Sequence, residues 1–341
     1  MMRKFLTLLL LPLFLSCAEA RTPLRFDSNG EFRIVQFTDI HFDSHAQASI
    51  IALKRIDEVI EAEHPDLVVI TGDIVYSTPA KDALRGVLDR ISSHGVPFCI
   101  TFGNHDGDFA LSKGGLYDIA RSYPQCVMPP RKGADSPDYA LEILHSTGQD
   151  IAGVIYCIDS NAHLYDEKGE FTGYDWIHKE QIQWYTRTSG AYTAANGGTP
   201  LPSTAFFHIP LPEYAAAVQE GGPMIGTRLE AVCAPPYNSG FFDSLKLMGD
   251  IFACFVGHDH DNDYAVAWQD VLLAYGRFTG GNTEYNYLPN GARVIILKEG
   301  KRELDSYIRL KGGEVVNRIS FPSTFNRSGW RERPLDPECL E

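Results

Sequence analysis

The chain has 341 residues, 44% of them hydrophobic and 22% charged, an ordinary globular composition that excludes disorder, collagen-like repeats and a miniprotein built on disulfides. Thirty lysines and arginines against 44 acids give a formal charge of −14 with no Lys/Arg-rich run, which argues against broad nucleic-acid binding or attraction to an anionic membrane. A small anionic substrate is not excluded, because a bound metal reverses the field around itself.

Residues 1–20 have the order of an export signal: Arg3 and Lys4, an apolar run from Phe5 to Leu15, then Ala18-Glu19-Ala20 as a small-residue exit. The run is too short to remain as a spanning helix. Phe14-Leu15-Ser16-Cys17 resembles a bacterial lipoprotein box with Phe in place of the usual Leu, so lipid anchoring at Cys17 and plain secretion both stay open. The mature chain is therefore expected in the periplasm, at the cell surface or in the medium.

Beyond the signal, β-branched and aromatic apolar runs alternate with helical periodicity. Phe32–Thr38 reads as a strand, and Ile50, Ile51, Leu53, Ile56, Val59 and Ile60 form the stripe of a helix. Leu67–Thr71 is the next strand; Ala83, Leu84, Val87, Leu88 and Ile91 mark a second helix, with Thr78 as N-cap and Pro79 at its first position. Pro97–Phe102 follows, and this order predicts parallel βαβ units. Further strands are expected at Ile151–Ile158, Ser203–Phe207, Ile251–Val256, Val271–Tyr275 and Val294–Leu297, with a third helix after Asp175 through Ile177 and Trp184. Several strands are apolar throughout, as strands covered on both faces are. Nothing divides the chain, so residues 21–341 read as one α/β domain, with 129–137 and 190–202 as surface loops. From about residue 312 runs a Pro- and Arg-rich tail with one apolar strip, Val315–Phe321, to which no role is assigned.

Six cysteines remain after the signal, and none has the spacing of a zinc or redox motif. Cys99, Cys157 and Cys254 lie in apolar runs and read as core, whereas Cys126, Cys233 and Cys339 lie in loop-like sequence. Asn326-Arg327-Ser328 fits a glycosylation acceptor, a pattern short enough to arise by chance.

Five segments set metal-binding side chains directly after strands: Asp39-Ile40-His41, Gly72-Asp73, Gly103-Asn104-His105-Asp106, His208 and Gly257-His258-Asp259-His260. Singly, each has a bland reading as a turn, a loop start or a backbone partner. Together they place five of the eleven histidines at strand exits, and in an α/β sheet those exits share the edge where ligands bind. Asp39, His41, Asp73, Asn104, His208, His258 and His260 make seven donors, and a bridging Asp73 gives four protein bonds to each of two metals. Imidazole with carboxylate suits Zn, Fe or Mn better than Ca or Mg. Two such ions about 3.5–4 Å apart activate a shared hydroxide and clamp an in-line displacement at phosphorus. His105 is the expected general acid, oriented and made more basic by Asp106. Asp259 and Asp263 are expected behind the ligands, holding imidazole tautomers. Arg131, Lys132 and Arg277 are lone loop cations and receive no role.

In that order these segments are similar to the five-part signature of calcineurin-like metallophosphoesterases, over Phe32 to about Glu284. The resemblance implies an α/β four-layer fold, two mixed β-sheets packed as a sandwich and flanked by α-helices, with a dinuclear site at one edge. It implies one metal on Asp39, His41, Asp73 and His260, and the other on Asp73, Asn104, His208 and His258. Phe206–Tyr214, Asn238-Ser239-Gly240 and Gly257–Asp263 resemble the short purple-acid-phosphatase-like branch. Gly72-Asp73-Ile74-Val75-Tyr76 fits the motif whose Tyr binds iron(III) in purple acid phosphatases proper, but those have Gly where this chain has His41, so Tyr76 is read as core or as a residue behind the ligands.

The combined expectation is an exported hydrolase of phosphate monoesters, with diesters open, working by in-line attack of a metal-bridging hydroxide on two divalent or mixed-valence Fe, Mn or Zn ions. The partner is a small phosphate ester, and membrane contact is expected only through Cys17. The alternative is a cell-surface metal-containing binding protein without turnover, which normally shows as a missing ligand or acid.

Overall fold

Leu67–Thr71 is buried along its whole length, and a strand covered on both faces has to lie between two layers. The computed structural model describes residues 23–131, 133, 138–281 and 283–326. The export signal, Cys17, Lys132, Cys339 and the second half of the Pro- and Arg-rich tail, residues 327–341, lie outside the described residues. In chain order the strands are β1 (Leu24–Arg25), β2 (Glu31–Phe37), β3 (Leu67–Thr71), β4 (Phe98–Thr101), β5 (Tyr139–Leu144), β6 (Ile151–Cys157), β7 (His163–Tyr165), β8 (Phe171–Tyr174), β9 (Ser203–Phe206), β10 (Met224–Ile225), β11 (Ile251–Val256), β12 (Ala265–Trp268), β13 (Val271–Tyr275), β14 (Gly291–Lys298), β15 (Leu304–Leu310) and β16 (Val315–Phe321). The helices are α1 (Ser49–Glu63), α2 (Ala80–Ser93), α3 (Lys113–Arg121), α4 (Lys179–Ala195), α5 (Glu213–Gln219) and α6 (Phe241–Met248).

Two mixed sheets carry the fold, one ordered β1-β5-β6-β9-β11-β13-β12-β10 and the other β16-β15-β14-β2-β3-β4. Strands β2, β3 and β4 run parallel in the second sheet, and β6, β9, β11 and β13 run parallel in the first, so both bring carboxyl ends toward a common edge. Alternation within the strands fills two cores. Ile155 and Cys157 of β6, with Leu272 and Ala274 of β13, face the six-stranded sheet. Val154, Tyr156, Leu273 and Tyr275 face the other way, toward Tyr185 of α4, Tyr214 of α5 and Phe241 of α6. Helices α1, α2 and α3 add Ile56, Val59, Leu84, Val87 and Leu116 to the core of the six-stranded sheet. This is the expected four-layer arrangement. Among the described residues no helix is long and apolar enough to cross a membrane.

All eight expected strands are present, but several local expectations shift. Ile50 and Ile51 are exposed, so the stripe of α1 is narrower than its apolar sequence. Pro79 is the N-cap of α2 and Ala80 its first residue. Ile177 precedes α4, whose start is fixed by a capping box between His178 and Gln181, and α4 absorbs the first half of the segment read as a loop from residue 190. The apolar strip of the tail is β16, paired antiparallel with β15, so the six-stranded sheet extends past residue 312. Cys99, Cys157 and Cys254 are buried as expected; Cys126 is buried too, and Cys233 is partly exposed.

Polar side chains stitch the two sheets together close to the shared edge. Gln36 Nε2 donates to Thr71 Oγ1 at 2.8 Å in its own sheet and to the Val256 carbonyl at 3.0 Å in the other. Arg293 of β14, fully buried, donates to the carbonyls of Tyr275 and Asp263 and to Ser306 Oγ. Arg293→Met keeps most of the volume but strands these acceptors in the interior. At about 1–3 kcal/mol per orphaned group, the expected loss is at least about 3 kcal/mol, read as a lower urea midpoint at unchanged slope.

Candidate metal centre

The donors sit where the backbone turns sharply out of a strand. Asp39 (φ 52°), His41 (φ 43°), Asp73 (φ 50°) and His258 (φ 78°) all occupy the left-handed region, an uncommon conformation for residues with a Cβ, and such strain collects at functional sites. Glycines beside them leave room for the donors. A Cβ at Gly103 would lie 2.2 Å from Asp73 Oδ1, at Gly72 2.5 Å from His208 Nδ1, and at Gly257 2.7 Å from Asp39 Oδ2.

All seven predicted donors converge, from the exits of β2, β3 and β4 in one sheet and of β9 and β11 in the other, so the shared edge belongs to the sandwich rather than to a single open sheet. Asp39, His41 and His260 form one group, and Asp73, His208 and His258 another, the ligand atoms of each lying within 4.8 Å of one another. Asp73 Oδ2 connects them, 3.2 Å from His208 Nε2 and 3.8 Å from His41 Nε2. Asn104 Oδ1 lies 3.1 Å from His208 Nε2. His41 and His260 bring their Nε2 atoms to 3.1 Å.

The donor chemistry fits transition-metal ions. His208 Nδ1–H donates to the Thr71 carbonyl at 2.7 Å and His260 Nδ1–H to the Tyr285 carbonyl at 2.8 Å, which turns the Nε2 lone pair of each into the cluster. Burial pushes His41 and His258 well below the usual imidazole value, leaving both neutral. His258, grouped with Asp73 and His208, has its Nε2 buried without a hydrogen-bond partner, and an orphan nitrogen beside a carboxylate is what a Lewis acid satisfies. Burial raises Asp39 against the pull of His208 and His260. Burial would raise Asp73 as well, but His208 and His41 hold it well below the ordinary range. Burial opposes charge on His208, yet Asp73 and Asp39 lift it to about 9; a metal at Nε2 competes with that proton.

Around the donors, three expectations are corrected. Asp106 does not touch His105: its Oδ2 accepts the amides of Asp73 (3.0 Å) and Gly103 (2.8 Å), and its Oδ1 those of Ile74 (2.8 Å) and Val75 (3.0 Å). The carboxylate at His105 Nδ1 is Asp108, at 2.8 Å. Asp259 holds no ligand imidazole; it accepts the Tyr275 hydroxyl at 2.6 Å and the Cys233 amide, and burial raises it to about 7. Asp263 likewise is taken by the Thr227 amide, Arg277 and Asn317, so Arg277 belongs to a buried pair. Backbone carbonyls, not carboxylates, orient the imidazoles of His208 and His260. Tyr76 lies behind the site, its ring edge-on to His41 at 5.0 Å between centroids. Arg131 pairs with Asp118.

Two further residues matter that sequence reasoning passed over. His163 of β7 accepts from Asn104 Nδ2 at 3.1 Å, which fixes the amide so that its oxygen faces His208. Tyr285 stacks on His260 at 4.5 Å while its carbonyl holds the same ring. Asp108 had a signal, an acid three residues after the histidine; His163 had none.

Asp106 and Asp108 should separate in experiment. Asp106→Ala leaves four amides unpaired beside Asp73, with an expected loss of at least about 3 kcal/mol in urea unfolding. Asp108→Ala removes a half-exposed partner, and its unfolding midpoint should stay within about 0.5 kcal/mol of the parent.

The sequence model of the calcineurin-like phosphoesterase family matches residues 32–262. "Probable inactive purple acid phosphatase 29" of Arabidopsis thaliana is 30% identical over 337 residues, covering 88% of this chain and 85% of that protein. "Phosphatase DCR2" of Saccharomyces cerevisiae is 29% identical over 85% of this chain, which spans 55% of that relative's length. Among solved structures, a dimetal phosphatase from Danio rerio superposes with a TM-score of 0.58 at 12% identity, over 85% of this chain and 98% of that one. The purple acid phosphatase PPD1 from yellow lupin gives 0.52 at 14% identity, over 85% of this chain and 53% of its own. At such identities these two structures speak for the fold alone. A family match across most of the chain, the four-layer sandwich and the convergence of all seven donors agree: the chain belongs to the calcineurin-like phosphoesterases, a family of metal-dependent phosphoesterases.

Proposed function

We propose that this chain hydrolyses phosphate monoesters at a centre of two transition-metal ions, Fe, Mn or Zn. The observation that carries the reading is His105, set beside the donor cluster with its main-chain N–H on Asp73 Oδ1 at 2.9 Å and its Nδ1 on Asp108. Asp39, His41 and His260 would hold one ion, and Asn104, His208 and His258 the other, with Asp73 shared. When bound, such a pair acidifies shared water and neutralises charge on the phosphate oxygens.

The chain's own residues supply the rest. Asp108 accepts the Nδ1 proton of His105, fixing the ring and leaving Nε2 for the ester; as imidazolium, that nitrogen carries the proton the leaving oxygen needs. The His105 side chain is 35% exposed while the donors beneath it are buried, so substrate can reach the acid without displacing a ligand. Loops outside this geometry choose monoester over diester, and the sub-branch resemblance favours the monoester.

The second reading, metal binding without turnover, is favoured by the word "inactive" in the names of three Arabidopsis relatives. Against it stand the seven donors and the His105–Asp108 pair, all in place. Protein reconstituted with Mn, Fe or Zn is expected to turn over aryl phosphates and to lose that activity on chelation. Asp73→Ala should lose both metals and all activity, whereas His105→Ala should keep two metals by elemental analysis while kcat falls about 10²–10⁴-fold. Fully metallated protein that hydrolyses no aryl mono- or diester and no nucleotide would establish the second reading.

The N-terminal pattern adds an exported location to this proposal. Intact-mass measurement of protein from cells is expected to find a chain beginning after residue 20 or at an acylated Cys17. An uncleaved chain in the cytoplasm would refute it.

A further inference from the structure

Strands β7 and β8 form a two-stranded sheet apart from the two large ones. Their register makes His163 and Tyr174 cross-strand partners, and likewise Tyr165 and Phe171. The first pair touches the metal centre: His163 bonds Asn104 and lies 4.9 Å from the His105 ring, and Tyr174 stands edge-on to His258 at 4.3 Å. The second pair faces solvent, Tyr165 being 60% exposed and Phe171 53%. These two rings lie 6.4 Å apart, and 6.0 and 5.7 Å from His163. An unbroken series of rings therefore runs from His105 and His258 out to a pair of exposed aromatic side chains.

Direction gives this series a meaning. A general acid at His105 has to meet the leaving oxygen, so the organic part of the ester departs on the side of His105, where His163 and the hairpin stand. Exposed aromatic groups continuous with a buried centre are suited to stack on a planar ligand, with ring offsets of the kind already seen among them. Asp108 is matched by the imidazolium of His105, but Glu230, on the Tyr285 hydroxyl, also acts on Tyr174 of the hairpin, and a carboxylate there disfavours a second anionic group on the substrate.

We infer that the β7–β8 hairpin is the specificity element of this site and selects phosphate esters whose leaving group is a planar aromatic alcohol without further negative charge, through Tyr165 and Phe171. The inference rests on the monoesterase reading for the direction of departure. Its test needs no turnover: calorimetric binding of phenylphosphonate, methylphosphonate and inorganic phosphate to the metal-reconstituted full chain.

Phenylphosphonate is expected to bind about tenfold more tightly than methylphosphonate. The double variant Tyr165→Ser/Phe171→Ser should bring that ratio close to one, with phosphate affinity and two-metal content unchanged, and Tyr165→Phe/Phe171→Tyr should keep it. A parent ratio near one overturns the inference, as does a ratio that survives the serine pair. Loss of metal in the serine pair also overturns it, because the hairpin would then be a brace. So does a dimer, seen by light scattering, that dissociates in the serine pair while the ratio holds, since the rings would then bind a second copy. Selective phenylphosphonate binding by protein that hydrolyses no monoester would uphold the hairpin's role and sink the hydrolase reading.

Discussion

A carboxylate withdrawn from water among imidazoles is the constraint on which the site depends. Asp73 is almost fully buried, with one oxygen between His208 and His41 and the other on the His105 amide. Its backbone is left-handed and its amide is anchored by Asp106, while Gly103 packs so closely that even a methyl group would collide with its oxygen. Burial alone drives a carboxylate toward protonation. Here the surrounding histidines outweigh it, and the residue stays anionic in the interior. A buried anion needs a cation beside it; without metal that partner is His208, lifted to about 9 by Asp73 and Asp39, and bound metal ions would displace its proton and take over the role.

That constraint explains why polar residues run through an otherwise apolar sandwich. Donors from two sheets can meet only if the sheets keep their register at one edge, and an apolar core alone permits sliding. Gln36 and Arg293 hold carbonyls of the opposite sheet through directional bonds, and Thr38 and Thr279 exchange further bonds next to Asp39. These groups are placed between the apolar core and the donors. They convert a packed interior into a frame that fixes ligand positions.

The strand exits were legible because two signals coincide there, a fully apolar run and a Gly or donor directly after it. Helices α5 and α6 carried no comparable signal, being too short to show a period, and β15 interleaves Asp305, Ser306 and Arg309 with its apolar residues. The pairing of His105 with Asp106 failed for a different reason. Neighbours on a tight turn point apart: Asp106 faces the amides behind the loop, and a turn closed by the Asp108 N–H on the His105 carbonyl at 3.0 Å brings Asp108 back to the ring. The tautomers of His208 and His260 are set by carbonyls of Thr71 and Tyr285, and a backbone carbonyl leaves no mark on the sequence.

Separation of cage from rim bears on how relatives can differ in activity while sharing a fold. Ligands on strand ends are locked by backbone bonds, and altering one alters the metal. The His105–Asp108 pair and the β7–β8 hairpin lie outside that lock, the hairpin reaching the cage through the Asn104 amide and the His258 ring. On the function proposed above, changes there would alter proton delivery or substrate fit while leaving the buried charges balanced. Retention of metal ligands is therefore weak evidence for turnover on its own, and the stronger discriminator is the half-exposed pair proposed to deliver the proton, His105 and Asp108, whose side chains are not among the metal donors. This chain has both.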